Sequence, residues 1–224
     1  MLNVDDPESL KMAVMGALTE VYKNEYYLIE HRCHELTVVA AFFYSFRLHN
    51  QIADNRISID MEYSRFGETL EAKPASPNTY GKKHMRIDFV VHQRGVQENK
   101  KLAIEFKDAN SKKDIAWDYE KLKSITVRLD DSRQIRNYGL GLSVKYNKDG
   151  VTIVSFTDGE ERVEEVYVWN VADKSFTKAE IVNLHCKTRH GRVYNVRETE
   201  SREELIRIDD YESGWNASLP SNNF

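Results

Sequence analysis

Cysteine and proline are scarce in this chain, which has two cysteines and four prolines among 224 residues. Two cysteines are too few for a disulfide framework, and their distance in the sequence suggests nothing regular. The histidines near Cys33 and Cys186 do not add the paired spacing that tetrahedral zinc sites use. These shortages exclude a disulfide scaffold and give no support to a structural zinc site.

Long apolar runs are also missing. The longest uncharged apolar stretch, from Leu36 to Phe46, is too short to span a bilayer. The first six residues carry no basic group of the kind that opens a signal peptide. From these observations we expect a cytoplasmic protein without a membrane partner.

A strong charge of one sign is absent as well, because the formal net charge is only −4. Residues 151–212 hold nine Lys and Arg against fourteen Asp and Glu, a balance of −5, and residues 213–224 are uncharged. The first 150 residues therefore carry −4 − (−5) = +1. No global basic field therefore indicates a polyanionic partner, and the predicted core is less acidic than the later part of the chain.

Two short segments, 86–92 and 102–107, alternate apolar and other side chains with a period of two. This pattern is typical of strands with one buried face, and the loop between them is short enough to join antiparallel neighbours. Such pairing places Asp88 beside Glu105. It also makes Glu105 and Lys107 point to the same side of the sheet.

Two neighbouring carboxylates repel each other unless a cation lies between them, and Mg²⁺ prefers oxygen ligands while retaining several waters. A lysine two residues further along would supply a positive charge. It could orient or help to deprotonate a water, or neutralise charge that develops on a phosphate. The pattern therefore predicts a site for metal-dependent phosphodiester cleavage.

The combination of Asp88 with Glu105, Phe106 and Lys107 resembles the PD-(D/E)XK superfamily of nucleases, also called restriction-endonuclease-like. Ile87 stands where the proline of that motif precedes the acid, but the proline takes no part in the chemistry. The resemblance implies that Asp88, Glu105 and the Phe106 carbonyl bind Mg²⁺, with Mn²⁺ as a substitute. It further implies that Lys107 lies next to the attacking water.

The resemblance also implies an α/β fold whose core runs helix, three antiparallel strands, helix, strand. The chain offers each piece in order. A largely buried helix is predicted over 34–46, with Leu36, Val39, Ala40, Phe43 and Phe46 at helical spacing. The remaining predicted elements are a strand over 56–63, the two segments above, a helix over 111–125, a strand over 136–146 and a hairpin over 151–170.

Three further residues on the predicted helices are candidates for the site. Glu35, near the start of the first core helix, is either favoured there by the helix dipole or, as the resemblance implies, a third acid at the metal. Glu30 competes for that role. On the second helix, Asp118 is interpreted as half of a surface ion pair, whereas Lys121 is expected to contact phosphate.

Basic residues cluster around the ends of the two central segments. They would suit phosphate contacts, which position nucleic acid without reading its sequence, or they form a solvated rim that keeps a sheet edge soluble. The residues predicted to bind nucleic acid are Arg65, Lys82, Lys83, Arg86, Arg94 and Lys121.

Taken together, these patterns predict a Mg²⁺-dependent nuclease that hydrolyses phosphodiester bonds in DNA, and a homodimer is one arrangement that the resemblance allows. One alternative is a catalytically silent protein of the same fold that binds nucleic acid or protein. Another is an interaction protein that works through its acidic C-terminal part. The predicted segments are a packing helix in 1–30, the nuclease-like core in 31–150, an acidic extension of the sheet in 151–212 and a tail in 213–224.

Overall fold

The computed structural model places four helices and eleven strands in the part of the chain that it describes. For residues 65–66, 69–72, 180–188 and 191–197 it describes the course of the backbone alone. The described residues are 1–63, 65–66, 69–72, 86–96, 99–111, 115–127, 138–188 and 191–197.

Two of the four helices in the described residues begin at a side chain that caps the helix. Asp6 caps the first helix by accepting hydrogen bonds from the backbone N–H groups of Glu8 and Ser9, both at 3.2 Å, and Pro7 occupies the first turn. His34 caps the third helix through a hydrogen bond from the Leu36 N–H. The helices are α1 (Pro7–Asn24), α2 (Tyr26–Glu30), α3 (Glu35–His49) and α4 (Ala116–Thr126).

Seven strands form one open sheet in the order β1-β4-β5-β6-β7-β8-β9, and two further pairs, β2 with β3 and β10 with β11, form separate hairpins. All neighbours in the large sheet are antiparallel except β5 and β6, which are parallel and are joined through α4. The strands are β1 (Ile57–Tyr63), β2 (Arg65–Phe66), β3 (Thr69–Ala72), β4 (Ile87–Gln93), β5 (Lys100–Asp108), β6 (Tyr138–Asn147), β7 (Gly150–Thr157), β8 (Glu160–Asn170), β9 (Ser175–Lys178), β10 (Glu180–Thr188) and β11 (Gly191–Arg197).

The fold is therefore mixed α/β, as the sequence predicts, but its sheet is larger than the expected core of three antiparallel strands and one more. The hairpin predicted over 151–170 is present as β7 and β8, and β9 pairs with β8 beyond it. Without β7, β6 would be an edge with unpaired backbone groups, and β7 pairs with it from Gly141 to Asn147.

Two apolar clusters cover the two faces of the sheet. The larger one joins α1, α2 and α3 to the sheet around the fully buried Phe42, Phe46, Phe89 and Phe106. The smaller one lies under α4 and includes Leu122, Ile125, Ala103 and Phe156. None of the helices in the described residues is long and apolar enough to cross a membrane.

The helix predicted over 34–46 is present as α3, but its burial is one-sided rather than general. Val38, Val39, Phe42 and Phe46 are buried, whereas the predicted core residue Leu36 is 43% exposed. Ala40 is exposed as well, so the prediction of burial is wrong for both residues. The reason is that α3 packs on the sheet and on α1 through one face and presents the opposite face to solvent.

Candidate active site

Asp88 and Glu105 lie on neighbouring antiparallel strands, as predicted. Phe89 of β4 is the register partner of Ile104 of β5, so the residues next to this pair, Asp88 and Glu105, also lie side by side. A hydrogen bond of 2.8 Å from the backbone N–H of Phe106 to Asp88 Oδ2 fixes the aspartate at this position. The pairing thus brings the two carboxylates together.

The alternation along β5 directs Glu105 and Lys107 toward α4. Leu102, Ile104 and Phe106 belong to the larger apolar cluster, whereas Ala103 belongs to the cluster under α4. Glu105 and Lys107 follow Ala103 with a period of two and share its side of the sheet. The predicted common direction of Glu105 and Lys107 is therefore present.

Helix α4 adds two charged side chains to this group. Lys121 Nζ lies 2.5 Å from Glu105 Oε2 and 3.0 Å from Asp118 Oδ1. Asp118 Oδ2 in turn lies 3.3 Å from Lys107 Nζ. The side chain of Asp118 is 8% exposed, so its interpretation as half of a surface ion pair is wrong. The spacing of three residues predicts that Asp118 and Lys121 form a pair, but only the packing of α4 on the sheet buries that pair.

Glu35 completes the group from the first turn of α3. Its Oε2 lies 3.5 Å from Lys107 Nζ, and its side chain is 30% exposed. The competing residue Glu30 instead lies beside His31, with Oε2 3.9 Å from Nδ1. The charged cluster, defined as Glu35, Asp88, Glu105, Lys107, Asp118 and Lys121, therefore alternates in sign from Glu105 through Lys121, Asp118 and Lys107 to Glu35.

Burial shifts the protonation of the two central carboxyls. Desolvation raises the pKa of Asp88 to about 6, against the lowering effect of the Phe106 N–H and the charge of Lys121. Desolvation also raises the pKa of Glu105 well above its usual range, and the neighbouring charge of Asp88 adds to this shift. Both carboxyls are thus poised to take up protons where no cation compensates them.

For the two lysines, the charges of neighbouring carboxylates outweigh desolvation in their effect on the pKa. Desolvation lowers the pKa of Lys107, but the charges of Asp118 and Glu35 outweigh it and raise the pKa above the usual value. For Lys121 the charges of Glu105 and Asp118 likewise outweigh desolvation and raise the pKa. Both side chains are therefore ammonium ions at neutral pH.

The cluster has an uncompensated negative charge when it is fully ionised. Four carboxylates and two ammonium groups sum to −2, which a single divalent cation would neutralise. Glu105 Oε1 is buried and has no hydrogen-bond partner among the described residues. A buried carboxylate oxygen without a donor is costly, and a hard cation would satisfy it.

The side chains at this site would fill only part of the coordination shell of a metal ion. In the described part of the chain, no group of three or more His, Cys, Asp or Glu side chains is arranged to hold a metal ion. Two carboxylates and the Phe106 carbonyl would leave the remaining positions to water. That composition fits Mg²⁺, which gives up its waters reluctantly, better than an ion that needs a full set of protein ligands.

Tyr146 is a neighbour of the cluster that the sequence did not single out. It lies at the end of β6 opposite Asp108 of β5, and its hydroxyl is buried without a hydrogen-bond partner among the described residues. Desolvation raises the pKa of this hydroxyl, and the charges of Glu35, Asp108 and Asp88 add to the shift. The hydroxyl is thus a neutral donor that faces an acidic environment, and only the alignment of β6 with β5 places it there.

Three of the residues predicted to bind nucleic acid, Arg86, Arg94 and Lys121, have described side chains, and each of these is paired with carboxylates. Arg86 forms an ion pair of 3.0 Å with Glu62, and Arg94 donates to both carboxylate oxygens of Asp60. Lys121 belongs to the charged cluster. The side chain of Arg65, together with Lys82 and Lys83, lies outside the described residues. For Arg86 and Arg94 a contact with phosphate stays a prediction, and it would have to compete with the carboxylate that each already binds.

Comparison of the chain with family models, with curated proteins and with solved structures gave no match. The case for a function therefore rests on the charged cluster and on the fold that assembles it.

Proposed function

We propose that this chain is a Mg²⁺-dependent nuclease of the PD-(D/E)XK type that hydrolyses phosphodiester bonds in DNA. The observation that carries the proposal is the pair of Asp88 and Glu105, held side by side, with a buried Glu105 oxygen that has no donor and with Lys107 on the same face. The net charge of −2 that the charged cluster carries when it is fully ionised would be neutralised by a divalent ion rather than by a monovalent one.

The order of elements around the pair supports the same proposal. Helix α3 precedes β1, β4 and β5, which pair antiparallel, and α4 then leads to β6, which pairs parallel with β5. This is the order of helix, three antiparallel strands, helix and strand that the resemblance implies. The further strands β7 to β9 extend the sheet on the side away from β1.

Asp88, Glu105 and the Phe106 carbonyl would hold the ion. Bound there, Mg²⁺ would act as a Lewis acid on a phosphoryl oxygen and on a water. The backbone N–H of Phe106 orients Asp88, and before metal binds Glu105 is held by Lys121 of α4, which is also paired with Asp118. The protein thus contributes carboxylates that are fixed in place before substrate arrives.

Lys107 would act as a protonated, positively charged donor rather than as a base. Because its pKa is raised, the ammonium has no free lone pair with which to accept a proton. It would orient the attacking water and stabilise negative charge on the phosphate as the water oxygen bonds to phosphorus and the P–O bond to the leaving oxygen breaks. The water proton is released to solvent, and the leaving oxygen takes up a proton.

The proposal is tested by cleavage of plasmid and single-stranded DNA with Mg²⁺ or Mn²⁺ and with EDTA. We expect metal-dependent cutting by the wild type and a loss of at least about a hundredfold for Asp88→Ala, Glu105→Ala and Lys107→Ala. Glu120→Ala and Lys123→Ala are matched controls, because these charged residues lie on α4 outside the charged cluster and, among the described residues, are paired with each other at 4.0 Å.

Retained activity in the three alanine variants would refute the assignment. DNA binding by the wild type without cleavage under any of these ions would instead favour the catalytically silent alternative.

A further inference from the structure

Lys121 is shared between two carboxylates that differ in their relation to the proposed metal site. Its ammonium lies 2.5 Å from Glu105 Oε2 and 3.0 Å from Asp118 Oδ1, and its side chain is 10% exposed. Glu105 is one of the two proposed metal ligands, whereas Asp118 belongs to α4. A lysine ammonium has three donors on a flexible stem, so it can move between two acceptors that it already touches.

A divalent cation on Glu105 would place its charge next to that of Lys121. Two cations on one carboxylate repel each other strongly in a buried site, because little water screens them. Lys121 therefore opposes cation binding as long as it stays on Glu105. Asp118 offers an acceptor that lets the ammonium leave Glu105 without losing its counter-ion.

The second oxygen of Asp118 keeps this exchange from disturbing Lys107. Asp118 Oδ1 faces Lys121, while Oδ2 faces Lys107 at 3.3 Å, and Lys107 has Glu35 as an additional partner at 3.5 Å. Each ammonium thus has its own oxygen on Asp118. A closer approach of Lys121 to Asp118 would leave Lys107 in place beside the proposed water.

We propose that Lys121 is an internal counter-ion of Glu105, that a divalent cation displaces it onto Asp118, and that Asp118 sets the metal affinity by receiving it. The inference rests on the proposed function, because it needs Glu105 as a metal ligand. Asp118 is in this sense a positioning residue, which acts on the metal through Lys121 and does not bind it. Lys121 has a charge-compensating role in addition to any contact with phosphate.

The test is a double-mutant cycle read by calorimetric titration of the full-length protein with Mn²⁺ at pH 7.5, without nucleic acid. Removing the competitor in Lys121→Met should tighten the Mn²⁺ Kd by about tenfold or more. Asp118→Asn, which leaves Lys121 held by Glu105, should weaken Kd by about tenfold. In the Lys121→Met background the same Asp118→Asn change should alter Kd by less than about threefold.

The pair Glu120 and Lys123 serves as the matched control, since it lies on the same helix at a separation of 4.0 Å and outside the charged cluster. Glu120→Gln and Lys123→Met should leave Kd within about twofold of the wild type. Far-UV circular dichroism checks folding, and Lys121→Gln takes the place of Lys121→Met if the methionine variant does not fold.

An equal effect of Asp118→Asn in both backgrounds would overturn the inference, because Asp118 would then act as a ligand or through its charge alone. Looser binding in Lys121→Met would also overturn it. These results would leave the nuclease proposal intact as long as Mn²⁺ binding disappears in Asp88→Ala. Absence of Mn²⁺ binding by the wild type would refute both.

Discussion

At the scale of single residues, Asp88 is a carboxyl group whose burial disfavours its charged form and so lowers the stability of the folded protein. A carboxyl in water ionises near its ordinary pKa of 3.8, but desolvation raises the pKa of Asp88 to about 6. The folded protein therefore binds the Asp88 proton more tightly than the unfolded chain does. A charge that is costly to bury is commonly kept at a position where a ligand will compensate it.

This shift predicts how Asp88→Asn changes stability with pH. Because the folded pKa is raised, the contribution of Asp88 to stability is fully present below about pH 4 and is lost as the pH rises through about 6. In EDTA at pH 8 we expect Asp88→Asn to raise the free energy of unfolding by roughly 2–3 kcal/mol, at about 1.4 kcal/mol for each unit of pKa shift. At pH 4 the two proteins should be nearly equal.

Urea unfolding at several pH values measures this difference. Asp54→Asn is the control, because a hydrogen bond from Arg56 lowers the pKa of Asp54 to about 2 and the charged form is the one that is stabilised. Asp54→Asn should therefore give no gain at pH 8. A gain for Asp88→Asn that does not depend on pH would contradict the assigned cause.

At the scale of elements, the contact between α4 and β6 determines where Asp118 and Lys121, the two residues of the charged cluster on α4, lie. Gly141 of β6 faces α4, and a Cβ built on it would lie 3.0 Å from Thr126 Cγ2 and 3.4 Å from Leu122 Cδ2. Helix α4 therefore approaches the sheet as closely as a glycine permits. This approach brings Lys121 within 2.5 Å of Glu105.

We accordingly expect Gly141→Ala to lower the free energy of unfolding by about 1–3 kcal/mol, because the added methyl group must push α4 or Phe156 away. The same displacement should weaken Mn²⁺ binding and DNA cleavage. Thermal unfolding and Mn²⁺ titration measure the two effects.

The control for this prediction is Gly139→Ala on the same strand. Its Cβ would meet only the Lys101 carbonyl oxygen at 3.6 Å, an ordinary contact distance. Gly139→Ala should leave the free energy of unfolding unchanged or raise it slightly, because alanine restricts the unfolded chain more than glycine does. Equal losses in the two variants would show that close packing of α4 is not the cause.

At the scale of the whole molecule, the beginning of the chain and the later strands share one apolar core. Tyr22 of α1 packs against Trp169 of β8 and Phe176 of β9, with ring centroids 5.1 and 4.7 Å apart. Its hydroxyl lies 2.6 Å from the carbonyl oxygen of Asn147 and 2.8 Å from that of Gly150, so its single proton is shared between the two acceptors. Strands β8 and β9 therefore cannot be deleted without exposing the core that also supports the charged cluster.

From this arrangement we predict that Tyr22→Phe lowers the free energy of unfolding by about 1–2 kcal/mol, because the carbonyl groups of Asn147 and Gly150 lose the one donor that they share. Unfolding should remain one transition, with tryptophan fluorescence and far-UV circular dichroism changing together. Tyr26→Phe is the matched control, since its exposed hydroxyl donates only to the Lys148 carbonyl, at 3.1 Å. Tyr26→Phe should lower the free energy of unfolding by at most half as much as Tyr22→Phe does.

Alternation along the chain was enough to predict which side chains of the central strands share a face. It placed Glu105 and Lys107 together and set Asp88 beside them, because the period of two is a local property of extended backbone. Burial of whole helices was harder to predict. Leu36 and Ala40 fit a helical apolar pattern but are exposed, because the pattern does not say which of several apolar stripes meets the sheet.

The sequence by itself determined the pairing of β4 with β5 and of β7 with β8, the common direction of Glu105 and Lys107 on β5, and the position of Glu35 at a helix start. Only the tertiary structure decided that Asp118 and Lys121 are buried in the charged cluster and that the pKa values of Asp88 and Glu105 are raised. Desolvation and ion pairing depend on distances between α4, β4 and β5, which are distant along the chain. No local pattern encodes these distances, so the charge balance of the site follows from packing.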